Sequence, residues 1–460
     1  MFCSVLACNS SPTTNHGAGG APATGGGGAG GKATAAGGAS AGGGGAPGAG
    51  GSSSAEGGAA GGRSGGNGGG GGAVGGRAGG NGGDAGGGAS GAGGARAGSQ
   101  WVLAYYVGYQ INDVPIAQID WSALTHIAFA PLLVKADRTL DLGFNDSNGT
   151  GEADARALAQ AAHANGVKAL LMLGGAGAGP NIAAAADATH RAAFVTTLTN
   201  ALSTLGYDGI DLDWEDSVDL DDLAGLALAL RAAKPDIVLS YPAGAINANY
   251  QTVAPQMVTL AGALDRFNVQ TYYPSTAYTG QGWSSWFSSP LSGVTASTPV
   301  AIDDTLQRYA AAGIPKAKLG MGIAFYAICY TGGITGPRQP TDGTTQTIVG
   351  GDNDYPLSAF FASGSTFASS TATDQKRDSV AAEPYLSLAT AVNDPKCGAP
   401  TRYITYEDET SIAAKGAFSK TNGYGGIIIW TLQEGYLPAG AAGGRARNAL
   451  TQALKAAFLD

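Results

Sequence analysis

Metal-ligating and charged side chains are scarce in this chain. Four Cys and four His are spread over 460 residues. His126, His163 and His190 have no Cys or Asp at ligand spacing, so neither a metal nor any other cofactor is expected. Charged residues make up 13% of the chain and sum to a net charge of −9, which argues against nucleic acid as a partner. No Gly-rich turn links the first strand-like stretch to a helix, so a dinucleotide-binding sheet is not indicated, and Gly runs such as 68–72 are not phosphate loops. The apolar start, Met1 to Cys8, is too short for a signal core or a membrane span.

Glycine, by contrast, is abundant: 78 residues, concentrated among Ala and Ser between about Asn9 and Ser99. Such a segment cannot bury enough apolar surface to offset its chain entropy, so residues 1–100 are expected to form a disordered tether. From Trp101 onward aromatic and branched residues appear, and 101–460 suit one large α/β domain. Strand-like stretches begin at Trp101, Leu124, Val167, Tyr207, Ile237, Phe267, Lys318 and Gly425. Helical periods fall between them, among them Asp187–Leu205, and Ala441–Phe458 closes the chain. Alternation of this kind implies parallel pairing with right-handed crossovers, and eight units suit a closed (β/α)8 TIM barrel. Residues 331–400 have no strong period and read as an insertion or lid between the seventh and eighth strands.

The fourth strand is the unusual one. In Tyr207-Asp-Gly-Ile-Asp-Leu-Asp-Trp-Glu215, Asp211, Asp213 and Glu215 alternate with Ile210, Leu212 and Trp214. Period two puts the three acids on one face. Like charges held this close out of water cannot all ionise, a condition acid/base enzymes use to keep one carboxyl neutral beside a charged one. A metal cage or a solvated edge strand is the plainer reading, but a surface strand rarely sets Ile, Leu and Trp on its other face. In a barrel Glu215 would project at the C-terminal mouth, with Asp213 and then Asp211 deeper.

Asp208-x-x-Asp211-x-Asp213-x-Glu215, with Gly209 and Trp214, resembles the signature of glycoside hydrolase family 18, the chitinase-type enzymes. The resemblance runs from Trp101 to the C-terminus, through Lys318–Tyr326 and Tyr406–Lys415. It implies that Glu215 is the general acid, that Asp213 holds the substrate's acetamido N–H, and that Asp211 shares a proton with Asp213. It gives Asp208 and Gly209 a structural part. Tyr272 is similar to the hydroxyl that steadies the acetamido carbonyl, in Gln270-Thr-Tyr-Tyr273 with Gln270 beside it as a sugar contact. Trp430 is similar to the indole floor under the scissile sugar, and Tyr105 to a tyrosine supporting the inner acid. The charge of Asp213 and partial burial are expected to raise the Glu215 pKa. An α+β insertion after the seventh strand is implied as one wall of the cleft.

There are departures from the pattern. A serine often found at the third strand is Met172 here, so Tyr105 is left to carry the support of Asp211. A Trp often found after the Gly pair is Ala176, and Tyr273 stands where an Asp is common. Trp283 and Trp286, in the loop after the sixth strand, suit either sugar stacking or lid packing. Trp101 and Trp121 read as core, and Tyr436 is a weaker candidate for the cleft. Cys329 and Cys397 can pair if the protein is exported. Val5-Leu6-Ala7-Cys8 resembles the end of a bacterial lipoprotein signal, which implies an extracellular or cell-surface, lipid-anchored monomer.

The function implied is hydrolysis of chitin or other β-1,4-linked N-acetylglucosamine oligosaccharides by a retaining, substrate-assisted route. An endo-β-N-acetylglucosaminidase acting on N-glycans and a non-catalytic chitin-binding relative are the alternatives.

Overall fold

The computed structural model describes residues 100–272, 282–341 and 345–460. Residues 1–99, expected to form a tether and including Cys8, and Tyr273 lie outside the described residues. Seven parallel barrel strands come first: β1 (Trp101–Val107), β2 (His126–Val134), β4 (Lys168–Gly174), β5 (Gly209–Asp213), β6 (Val238–Gly244), β7 (Arg266–Gln270) and β8 (Leu319–Ala324). A two-residue β3 (Leu140–Asp141) hangs antiparallel on β2. The chain then leaves for a separate antiparallel sheet of β9 (Ile328–Tyr330), β10 (Ile348–Val349), β11 (Gln375–Asp378), β12 (Glu383–Val392) and β13 (Thr401–Thr405). It returns to the barrel as β14 (Gly426–Trp430). β14 inserts between β8 and β1, and β1 also pairs with β2, so the eight strands close as expected.

Helices cover the outside: α1 (Gly151–Ala164), α2 (Gly179–Ala186), α3 (Arg191–Leu205), α4 (Leu220–Ala233), α5 (Pro255–Ala263) and α6 (Ile302–Ala311). In the insertion come α7 (Leu357–Phe360) and α8 (Thr366–Ser369), and after it α9 (Glu409–Asn422) and α10 (Ala449–Leu454). Local chemistry sets several ends. Asp219 caps α4 by accepting from the amides of Asp221 and Asp222, and Asp408 and Ser411 form a capping box on α9. The helix expected over Asp187–Leu205 starts at Arg191 instead. The Asp187 carboxylate accepts from the Thr189 and His190 amides, and that local bonding competes with a helical start. The closing helix is also shorter than expected, because Gly440, Gly443 and Gly444 take positive φ and leave helical geometry to begin at Ala449.

Parity along each strand divides the core in two. Ile210, Leu212 and Trp214 face the helices in the main apolar cluster. Trp101, Leu103, Tyr105, Val107, Leu170, Met172 and Ile428 fill the barrel's interior. That interior cluster is small because β5 contributes acids to it rather than apolar residues. Among the described residues the insertion carries the antiparallel sheet just given. Its strands pack Tyr330 and Tyr403 on each other with centroids 5.1 Å apart, and Cys329 is joined to Cys397 across a 68-residue separation.

Candidate active site

The acids come together, but not on one unbroken strand. β5 stops at Asp213, and Glu215 follows at the rim, half-buried, after the outward-facing Trp214. Two glycine positions make the approach close. A Cβ on Gly209 would come within 1.8 Å of the Val238 carbonyl oxygen, so β5 and β6 meet there only without a side chain. Gly174, at φ 112°, turns β4 away beside Asp213, where its Cβ would lie 2.3 Å from the Asp213 carbonyl oxygen.

Asp211 is fully buried, with its neighbours supplying hydroxyls. The Tyr105 hydroxyl donates to Oδ2 at 2.8 Å, and the Ser240 hydroxyl donates to Oδ1. Burial raises the Asp211 pKa to about 6, against the pull of Ser240 and Tyr105 toward the charged form. Asp213 is 2% exposed, and its pKa rises well above the usual range. Burial is the main cause, and the charges of Glu215 and Asp211 on either side add to it. One Asp213 oxygen bonds Glu215; Oδ1 is buried and has no partner among the described residues. Glu215 is raised too, by burial first, while the Gln270 amide, donating at 2.7 Å, and the bond from Asp213 favour its charged form. Burial acts as expected; the part expected of Asp213 is corrected, because the bond from Asp213 opposes the rise. Asp213 is the deeper group with acids on both sides, so of the pair it is the one pushed more strongly toward its neutral form. Among the described residues no Lys or Arg pairs with any of the three acids.

Two aromatic residues complete the wall. Trp430 ends β14 half-buried, its ring 5.2 Å from Tyr105 and packed against both the barrel interior and the insertion sheet. Tyr272 follows β7 and touches the same two clusters; a Cβ on Gly322 would lie 2.9 Å from its ring. Asp208 is at the opposite end of β5, accepting from Lys168, His163 and the Ala169 amide, a structural position as expected. His163 and His190 each face an Asp and His126 faces Thr125. Among the described residues no cluster of three or more His, Cys, Asp or Glu could hold a metal.

Other expectations need correction. Trp286 has no exposed surface and offers no face to a sugar. Its indole donates to the Val300 carbonyl, and its backbone is clamped by the Tyr330 and Tyr403 hydroxyls of the insertion. Gln270 stands at the mouth, where its amide bonds Glu215. Tyr436 is buried away from the cleft, its hydroxyl accepting from the Asp120 amide. Trp101 is core, donating to Asn268, and Trp121 packs partly buried on the main cluster. Trp283 remains accessible and stacks on Tyr250, centroids 6.4 Å apart at 22°; Tyr250 is 64% exposed. Tyr250 and Ser240 were missed. Ser240 had a signal, as a small polar residue within the apolar run Ile237-Val-Leu-Ser-Tyr241; Tyr250 had none.

The family model for glycosyl hydrolases family 18 matches residues 102–435. A class V chitinase of Arabidopsis thaliana is 25% identical over 344 residues, covering 70% of this chain and 83% of that protein. A chitinase-like effector of Moniliophthora roreri is 34% identical over 122 residues, but the match spans 26% of this chain and 29% of the effector's own length. The crystal structure of the Ostrinia furnacalis Group IV chitinase superposes with a TM-score of 0.62 at 19% identity, over 78% of this chain and all of that one.

Proposed function

The chain belongs to glycosyl hydrolase family 18, and we propose that it hydrolyses β-1,4-linked N-acetylglucosamine chains with the substrate's own amide as nucleophile. One observation carries the reading: Asp213 holds a buried, unpartnered acceptor oxygen beside the half-buried Glu215. That oxygen suits an acetamido N–H, whose bond would repay the desolvation of the carboxylate.

The steps follow from the proton shared by the pair. When an acetamido N–H is donated to Asp213, the anion there is favoured and the proton passes to Glu215. Glu215 gives it to the glycosidic oxygen as the C–O bond breaks. The acetamido oxygen attacks the anomeric carbon from the other face and forms an oxazolinium ion. Asp213 stabilises the positive charge, the Tyr272 hydroxyl orients the amide, and the Trp430 ring supports the sugar. Glu215, now a carboxylate, takes a proton from the water that reopens the oxazolinium, and configuration is retained. Trp283 with Tyr250 offers an apolar face for a further sugar.

The test is cleavage of chito-oligomers by the parent and by Glu215→Gln, with the anomeric form of the first product read by NMR. Equal cleavage rates in the two proteins would discard Glu215 as the acid, and binding without turnover in both would discard hydrolysis in favour of a binding role. A second reading, cleavage of the N-glycan core, is favoured by the exposed Ala176 and buried Trp286, which leave fewer platforms for a long chitin chain. Comparing products from chitohexaose and a glycoprotein separates the two. The disulfide supports export, and lipid anchoring at Cys8 is part of the same proposal; the mass of the native N-terminus tests it.

A further inference from the structure

The barrel's register places Asp211 between two flanking positions in one layer: Met172 on β4 and Ser240 on β6. Neighbouring strands lie about 4.8 Å apart, so a short side chain on either flank can reach the same carboxylate. The family's usual third-strand serine would stand on the β4 flank. Here that flank is a buried methionine packed with the interior apolar cluster, and the hydroxyl is on the other side. Ser240 is fully buried and donates to Oδ1, while Tyr105 donates to Oδ2, so both oxygens of Asp211 accept a hydroxyl.

We propose that Ser240 is a positioning residue that supplies from β6 the hydroxyl Met172 cannot, and with Tyr105 holds Asp211 as the anion behind the reacting pair. The proposal rests on the catalytic reading of the acidic strand. Its physical sense is where a proton settles. A buried carboxylate with no donors takes up a proton readily, and a proton held on Asp211 would be out of reach of the rim. Two hydroxyl donors make Asp211 a poorer holder than Asp213, whose Oδ1 has no donor among the described residues, so the proton stays on the side of Asp213 and Glu215, where a leaving group can receive it. Among the described residues, the titratable groups that interact with Asp211 are Tyr105 on β1 and Asp213 on its own strand; Tyr272 reaches Tyr105 and Glu215 reaches Asp213, and the facing residues of β4 and β6, Met172 and Ser240, carry no charge.

The experiment is a set of four proteins: parent, Ser240→Ala, Ser240→Thr and the double variant Ser240→Ala with Met172→Ser. Ser240→Ala is expected to lower kcat about 10-fold with KM within about 2-fold, and to move the acid limb of the kcat–pH profile up by about one unit. The threonine is expected to keep the parent's profile, and a hydroxyl restored on the β4 flank to recover at least half of the shift. The carboxyl titration of Asp211, followed by NMR on aspartate-labelled protein and assigned with Asp211→Asn, reads the same shift without turnover. An unmoved midpoint in Ser240→Ala, or a loss equal in the alanine and threonine variants, would overturn the proposal. A double variant no better than Ser240→Ala would overturn the equivalence of the flanks. A parent that cleaves nothing, with the midpoint shifting as expected, would instead overturn the catalytic reading and leave the positioning of Asp211 standing.

Discussion

Carboxylates are buried in two regions of this protein, under opposite terms. At the barrel mouth Asp211, Asp213 and Glu215 are surrounded by hydroxyls and an amide, with no cation in contact among the described residues. Where α9 meets the insertion, Glu407 and Glu383 are equally buried, but the fully buried Lys415 bonds Glu407, and Ser411 donates to it as well. Glu383 accepts from the Ser288 hydroxyl and the Ser289 amide. In the second region the negative charge is answered by a permanent positive one and the group serves as a joint. In the first it is answered only by neutral donors, and one oxygen of Asp213 is left without any. Unanswered charge costs stability, and it persists where the protein uses it.

The contrast can be broken from either end. Glu215→Gln should cost about 10³-fold in turnover while leaving thermal unfolding within a degree or two of the parent, or raising it, because it removes charge from a crowded site. Oligomer cleavage and a thermal melt on the same preparation check both halves. Lys415→Met should do the reverse. It strands Glu407 beside Glu383, at about 3–5 kcal/mol of stability by urea unfolding, while the folded fraction retains its turnover rate.

Removing the bond between Cys329 and Cys397 by double serine substitution should cost at most about 4 kcal/mol, the chain-entropy value for a loop of its 68-residue separation. The loss should appear first as protease nicking within the insertion, with the barrel strands still protected from hydrogen exchange. The smallest effect sharpens the comparison through pH. Burial pushes the Glu383 pKa to about 8 from an ordinary 4.5. The folded state thus keeps a proton that the unfolded chain releases between those values. The contribution of Glu383 is complete below about 4.5 and is lost as pH rises through 8. Melting temperatures from pH 5 to 8 should fall less steeply in Glu383→Gln than in the parent. Asp213→Asn should flatten the same slope, since its carboxyl is raised by burial too; if only one does, the two regions do not share a cause.

Much of this was legible before any coordinates. The alternation of acids with Ile210, Leu212 and Trp214 depends on strand period alone, and the interior placement of Asp211 and Asp213 followed from it. Glu215 shows where period stops being enough. The strand ends at Asp213, and the rim position of Glu215 depends on its bond from Gln270, a residue 55 positions away on another strand. Trp286 could not be judged from its neighbours, because what buries it are Tyr330 and Tyr403 of the insertion sheet. Ser240 was visible as an oddity within an apolar run, yet its partner is named only by the register of β5 against β6.

The sequence by itself determined the element types, the closed parallel barrel and the acidic face of one strand, because these depend on periods and caps that act over a few residues. Tertiary structure alone decided which hydroxyl backs the inner acid, which tryptophan stays open and how burial shifts each acid toward its neutral form. Those outcomes depend on burial and on contacts between strands far apart in the chain, and a charge in low dielectric answers to whatever lies within a few ångströms, not to its neighbours in sequence.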